Sequence, residues 1–361
     1  MVAIQERIDE IEKEMRRTQK NKATEHHLGL LRAKLMKLRN DLAEQNAKTS
    51  EKGEGFAVAK SGIARVSMVG FPSVGKSTFL NKSTTTYSKV ASYEFTTLTC
   101  IPGFLEYGDC KVQLVDLPGI VQGAARGKGR GKEVIAVART SDLIIMMLEA
   151  DKAEKQKQYL EAELEQVGIR LNRKVPDVSY TVRKGANTGI KISKSVQLTH
   201  CDDDFIKSVL KTYKVAHCDI VLREDCTKDD LIDIICGNTV YIPCIYAINK
   251  IDSISMEEMD RLARIPNFIV ISCYMDLNID YLKDQIWNCL QLIRIYTKKK
   301  GDRPDIREAI VLKAGSTVRE LCASIHNTMV TDFKNSIVWG TSCKFIPQTV
   351  GLNHVLENED V

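Results

Sequence analysis

The chain has 361 residues, 43% hydrophobic and 27% charged, proportions that suit a globular protein with room for two or three modest cores. No apolar run approaches the length of a bilayer span, and the charged, helical start carries no signal-peptide core, which sets aside membrane and secreted classes in favour of the cytoplasm, with a nuclear pool as a variant. A net charge of +5, from 52 Lys and Arg against 47 Asp and Glu, is too mild to mark a nucleic-acid binder by itself.

In chain order, residues 1–47 read as a helical hairpin. Ile4, Ile8, Ile11 and Met15 recur at helical spacing, then Leu28, Leu31, Leu35, Leu38 and Leu42 do so, with Asn21 and Thr24 between them suiting a helix end and a new start. Such a hairpin is too small for a core of its own and is expected to pack on a neighbour. A polar, glycine-bearing linker follows over 48–62. From Ala64 the pattern changes. The runs "ARVSMVG", "CKVQLVD", "LIIMMLE", "TVYIPCIYAIN" and "NFIVIS" have buried-strand character and alternate with helix candidates at 152–167, 256–264 and 279–290. This alternation predicts an α/β domain over 63–292, with a mainly parallel sheet and helices on both faces. Too many residues separate Val167 from Tyr241 for a loop, so a subdomain is expected at about 169–238, with helices in "DDFIKSVLKTYKV" and "TKDDLIDIICG". Residues 293–361 read as two strands, a helix and a strand, an order like that of a β-grasp module. The eleven cysteines include no CxxC pair, and His200-Cys201 and His217-Cys218 lack the spacing of a zinc site, so reduced thiols are expected.

The strongest chemical signal is "GFPSVGKST", which satisfies G-x-x-x-x-G-K-[ST] between a strand and a helix. Gly70, Phe71, Pro72, Ser73, Val74, Gly75, Lys76, Ser77 and Thr78 form the candidate phosphate cradle. Lys76 is set to bridge the β- and γ-phosphates as a catalytic cation, and Ser77 to ligate Mg²⁺. "INKID" supplies base choice. The Asp252 carboxylate can accept from guanine N1–H and the 2-amino group, a donor pair adenine lacks, while Asn249 and Lys250 can add contacts to the purine. Ser272, Cys273 and Tyr274 end the strand "NFIVI", where backbone can meet guanine O6. Asp116, Leu117, Pro118 and Gly119 follow another strand; Asp116 can hold Mg²⁺, and the Gly119 N–H can sense the γ-phosphate. Thr97 in "YEFTTLTC" is the candidate switch threonine, catalytic and on Mg²⁺, with Thr96 as the alternative. Basic residues gather at Arg126, Lys128, Arg130 and Lys132, and at Lys298, Lys299, Lys300 and Arg303. They read either as solvated loops or as contacts for a phosphate-rich partner such as RNA.

Taken together, "GFPSVGKST", "YEFTTLT", "DLPGI" followed by "GKGRGK", "YIPCIYAINKID" and "RIYTKKKG" resemble the Obg/DRG GTPases, and the resemblance extends into the hairpin through "RTQKNKATEHHLGLLRAKL". The resemblance implies a G domain interrupted by a subdomain similar to the second domain of ribosomal protein S5, and a C-terminal TGS domain of β-grasp type. It also implies cytoplasmic GTP hydrolysis, association with ribosomes and translation, and a stabilising zinc-finger partner, the DRG family regulatory protein. Three departures stand out. The TGS domain is expected to lack a last strand beyond "LENEDV". Ser73 stands where relatives commonly have the asparagine tied to potassium, leaving K⁺ activation open. Lys82 lies where the family is more apolar, which predicts weaker packing. Ile120 replaces the water-orienting glutamine of signalling GTPases, an apolar choice shared by the family, so hydrolysis is expected to be slow. The alternatives are a degraded relative that binds GTP or a protein without significant hydrolysis, and a P-loop ATPase, which Asn249 to Asp252 disfavour.

Overall fold

The structure is a computed structural model that describes residues 2–22, 24–49, 63–84, 102–107, 110–117, 137–183, 189–298, 304 and 309–361. The linker over 50–62, Thr96, Thr97, Pro118, Gly119, Ile120, the basic run from Arg126 to Lys132, and Lys299, Lys300 and Arg303 lie outside the described residues. The chain divides into two compact units, Met1–Phe56 with Gly168–Tyr241, and Ala57–Val167 with Ile242–Val361.

The second unit is built on a six-stranded sheet in the order Phe268–Val270, Cys244–Asn249, Leu143–Glu149, Arg65–Gly70, Cys110–Asp116, Pro102–Tyr107. The four strands after the first are paired parallel up to Cys110–Asp116, and Phe268–Val270 is parallel too. Arg65–Gly70 and Cys244–Asn249 are buried at every position, as strands covered on both faces must be. Two details depart from the sequence pattern. "PGFLEY" forms an antiparallel edge strand on Cys110–Asp116, a hairpin that the short apolar runs do not signal. The run "TVYIPCIYAIN" is two strands, because Pro243 has no N–H to continue a ladder; Val240–Ile242 pairs with Ile169–Leu171 instead. Helices Lys76–Ser83, Ala153–Gln166, Met256–Ala263 and Ile279–Leu290 match the helical pattern.

After the last of these helices, Leu292–Ile295 pairs antiparallel with Ile310–Lys313, and Ser336–Val338 with Gln348–Val350. The helix expected across "STVRELCASIHNTMV" is broken at His326, whose backbone is extended at φ −164°, giving Val318–Ile325 and Asn327–Thr331. Ile293, Ile295, Val318, Cys322, Val338, Val350 and Leu356 form the core of this region. The chain's own Asp360 bridges Ile295 in parallel, and Val361 exchanges backbone hydrogen bonds with Trp339 at 2.8 and 3.0 Å.

In the first unit, helices Val2–Arg17 and Glu25–Thr49 are joined by a turn in which the Thr24 N–H donates to Asn21 Oδ1 at 2.9 Å. The segment from residue 168 forms a three-stranded sheet, Val178–Val182 antiparallel and Ile190–Lys194 parallel to a central Cys218–Leu222. Helices Asp203–Thr212 and Lys228–Cys236 cover it. The neighbour the hairpin requires is this subdomain. Ala33 is fully buried in one cluster with Phe205, Ile206, Val209, Leu231 and Ile232. At Gly29 a side chain would meet the Phe205 ring at 2.7 Å, so only glycine allows this approach. Arg32 grips Asp229 through two bonds of 2.7 and 2.8 Å, and Lys37 donates to the Thr212 carbonyl at 2.6 Å.

Candidate functional site

The parallel strands end in register: Met68 lies opposite Asp116, Gly70 opposite Met147, and Asn249 opposite Glu149. The loops leaving these carboxyl ends therefore converge, the usual position of a ligand site in an open α/β sheet.

The phosphate cradle leaves the buried strand at Gly70, where a side chain would strike the Met147 carbonyl at 2.5 Å. Ser73 and Gly75 take left-handed backbones, φ 63° and 99°. Left-handed residues within a turn gather successive N–H groups into a concavity that suits an anion. Pro72, Ser73, Ser77 and Thr78 are exposed, while the Val74 side chain is buried in the core and Phe71 packs on Tyr159 with ring centroids 5.8 Å apart. Lys76 opens the helix and folds back over the loop, donating to the carbonyls of Gly70 at 3.1 Å and Phe71 at 2.9 Å. Burial pulls the pKa of its ammonium down, and the facing Asp116 carboxylate opposes that shift.

Ser77 Oγ donates to Asp116 Oδ2 at 2.8 Å. The other carboxylate oxygen, Asp116 Oδ1, is buried with no hydrogen-bond partner among the described residues. Burial raises the Asp116 pKa, and the Ser77 hydroxyl and the Lys76 charge pull it back. A hydroxyl and an orphaned hard oxygen beside a phosphate cradle are a donor set that fits Mg²⁺. The next residue, Leu117, is wholly buried and holds the strand edge through its N–H to the Met68 carbonyl at 3.2 Å, so it packs and positions the loop rather than offering a donor to phosphate.

At the base end, Asn249 does something that its motif does not announce. It is buried, and its amide is spent on the scaffold: Nδ2 donates to the Val74 carbonyl at 2.8 Å, and Oδ1 accepts from the Cys273 N–H at 2.9 Å. Asn249 thus ties the phosphate loop to the Ser272–Tyr274 loop. It also explains Gly75, where a side chain would lie 2.2 Å from Asn249 Nδ2. Lys250 sits at φ 64° and donates to Glu149 Oε1 at 2.7 Å, which holds the Glu149 carboxyl below its ordinary range. Asp252 is exposed, oriented by the Ser272 hydroxyl at 2.6 Å from Oδ1. The same hydroxyl accepts from the Met275 N–H at 3.2 Å, and Tyr274 is exposed.

Sequence reasoning missed Glu149, the strut role of Asn249, and Lys82. Rather than loosening the packing, Lys82 reaches from the end of the phosphate-loop helix to Asp276 Oδ1 at 2.6 Å, while Phe79 and Leu80 beside it are buried. Among the described residues no group of three or more His, Cys, Asp or Glu side chains could hold a metal, and no helix is long and apolar enough to cross a membrane.

Comparison with known proteins bears on the same residues. The family described as 50S ribosome-binding GTPase matches residues 65–178, the C-terminal region of that domain matches 187–292, and the TGS domain matches 293–361. Developmentally-regulated GTP-binding protein 2 of Homo sapiens is 57% identical over 100% of this chain and 98% of its own length. GTP-binding protein 1 of Schizosaccharomyces pombe is 55% identical with the same coverage, and Developmentally-regulated G-protein 2 of Arabidopsis thaliana is 50% identical over 100% of this chain and 90% of its own. The human relative carries the number 2, where the motifs taken alone point to number 1. With likeness of this order along the whole chain, and a P-loop and N-K-x-D brought to one edge of a parallel sheet, the chain belongs to the developmentally regulated GTP-binding protein (DRG) family, as a GTP-binding protein with a GTPase domain and a TGS domain.

Proposed function

We propose that this chain binds GTP with Mg²⁺, hydrolyses it slowly to GDP and phosphate, and works as a switch linked to ribosomes and translation. The observation that carries the reading is the pairing of Ser77 with Asp116 in front of Lys76, with Asp116 Oδ1 buried and unpartnered beside them. Ser77, Asp116 and Thr97 would hold the ion, which supplies positive charge to the phosphate oxygens. Lys76 supplies a second, partly desolvated charge, worth more there than in water. Asp252, set by Ser272, selects guanine, and Asn249 keeps the two loops in register. With isoleucine at 120, no amide at that position orients the attacking water, so the charge clamp has to provide most of the rate enhancement, and turnover is slow.

Phosphate release measured with GTP and with ATP, in potassium and in sodium, tests this. GTP turnover above a Lys76→Ala control, absent with ATP, is the expected result; faster release in potassium assigns a cation role near Ser73. No release above the control in either salt refutes hydrolysis. Asp252→Asn is expected to weaken GTP but not pyrophosphate binding.

The ribosome link draws on the description of the matching family and on the basic runs around Arg126–Lys132 and Lys298–Arg303. Co-sedimentation with ribosomes should fall steeply as salt rises. The same reading includes a DRG family regulatory protein as partner, a cytoplasmic site of action, and domain limits at 1–47, 63–292 and 293–361. Limited proteolysis between 48 and 62 would check the first of these limits.

A further inference from the structure

We infer that Lys82 is a positioning residue for the guanine end of the site, and that its bridge to Asp276 sets the rate at which guanine nucleotide leaves. The inference rests on the guanine-nucleotide reading above and adds a residue to it.

Helix Lys76–Ser83 begins with Lys76 and Ser77, the two side chains assigned above to phosphate and magnesium. Its last turn carries Lys82, whose Nζ lies 2.6 Å from Asp276 Oδ1 and 3.5 Å from the Tyr274 carbonyl. The loop it reaches is the one that sets the base. Its first residues are anchored from the N-K-x-D side: the Ser272 hydroxyl is on Asp252, and the Cys273 N–H is on Asn249. The following residues are held by the loop's own bonds, the Met275 N–H on the Ser272 hydroxyl at 3.2 Å and a Ser272–Leu277 backbone pair at 3.1 Å, while the Tyr274 and Met275 side chains are 86% and 56% exposed. Asp276 and Asn278 hold left-handed backbones, φ 55° and 61°, which Asp and Asn tolerate better than most residues, and Asn278 is itself tied by its Nδ2 to the Val270 carbonyl at 2.8 Å. Lys82 provides a restraint at this point. A single helix therefore spans from the phosphate cradle to the base loop, and the Lys82–Asp276 bridge fastens its far end.

The magnitude follows from exposure. With side chains 31% and 68% exposed, the pair has the strength of a surface ion pair, so its loss should speed release about two- to fivefold. Screening by salt should erase the difference.

The test is stopped-flow release of a fluorescent GDP from the full chain, for wild type, Lys82→Met, Lys82→Arg, Asp276→Asn and the Met/Asn double variant, at low and high salt. Both single variants should release about two- to fivefold faster at low salt, the double no faster than the larger single, and Lys82→Arg near wild type. Wild-type release should quicken with salt more than Lys82→Met release, because the Lys76 attraction for the phosphates is screened in both chains and the Lys82–Asp276 bridge only in the first, a signature that general destabilisation would not produce. Wild-type binding with unchanged release from Lys82→Met overturns this inference alone, and a Lys82→Met effect equal at all salts overturns the ion-pair basis. A wild-type chain that holds no guanine nucleotide overturns the reading of the site itself, and this inference with it.

Discussion

Asn249→Asp separates two jobs that the N-K-x-D motif leaves merged. The side chain keeps its shape, so Oδ1 can still accept from the Cys273 N–H, now 2.9 Å away. The other terminal atom becomes an oxygen and can no longer donate to the Val74 carbonyl, 2.8 Å away. A buried carbonyl left unsatisfied costs about 1–3 kcal/mol. At about 1.4 kcal/mol per tenfold, that weakens nucleotide binding by about 5- to 150-fold if the loop must recover its geometry on binding. Facing a carboxylate oxygen to a carbonyl adds repulsion, so the lower figure is a floor. The assay is a fluorescence titration with GDP, alongside displacement by inorganic pyrophosphate. If Asn249 acts through the Val74 loop, both ligands lose affinity to a similar degree. GDP affinity within about twofold of wild type, or a loss confined to GDP with pyrophosphate untouched, refutes the strut.

Three other expectations follow from the same geometry. Arg170→Met should strand Asp233, whose side chain is 2% exposed and paired to Arg170 at 2.7 Å, lowering the stability of the first unit by about 3–5 kcal/mol; thermal melts should show it, and Arg170→Met with Asp233→Leu should recover most of it. Glu149 has its pKa depressed in the fold, chiefly by its hydrogen bond from Lys250, so its contribution is present above the ordinary carboxylate pKa and is lost as pH falls through the depressed value. Glu149→Gln should therefore melt below wild type near neutrality and match it in acid. Burial pushes the Cys273 thiol up to about 11 and raises the Cys289 thiol too, but Cys289 is exposed where Cys273 is buried, so alkylation at pH 8 followed by peptide mass analysis should modify Cys289 well before Cys273.

What could be read from residues alone was what repeats or aligns locally. The P-loop, the N-K-x-D run and the alternation of buried strands with helices are short-range patterns, and the structure places them as their spacing demands. What could not be read depends on partners distant in sequence. Nothing near Asn249 announces that its amide is consumed by Val74, and Lys82 reads as a packing fault until Asp276 is seen opposite it. The strand Pro102–Tyr107 opens with a proline and a glycine, poor strand signals that an edge position next to Cys110–Asp116 tolerates. The break at His326 interrupts a run whose apolar spacing alone favours a continuous helix.

The shared core of the hairpin and the inserted subdomain has a consequence for biosynthesis. The bond from Arg32 to Asp229 joins residues 197 positions apart, and Ala33 finds its place only among Phe205, Val209 and Leu231. At roughly 5–20 residues per second, the hairpin leaves the ribosome on the order of ten to forty seconds before the helices that bury its face. Leu30, Ala33 and Met36, the hairpin residues of that shared cluster, are without their partners for that interval. The earliest part of this chain to be made is among the last to be completed, and until then its apolar stripe is a surface on which a chaperone can act.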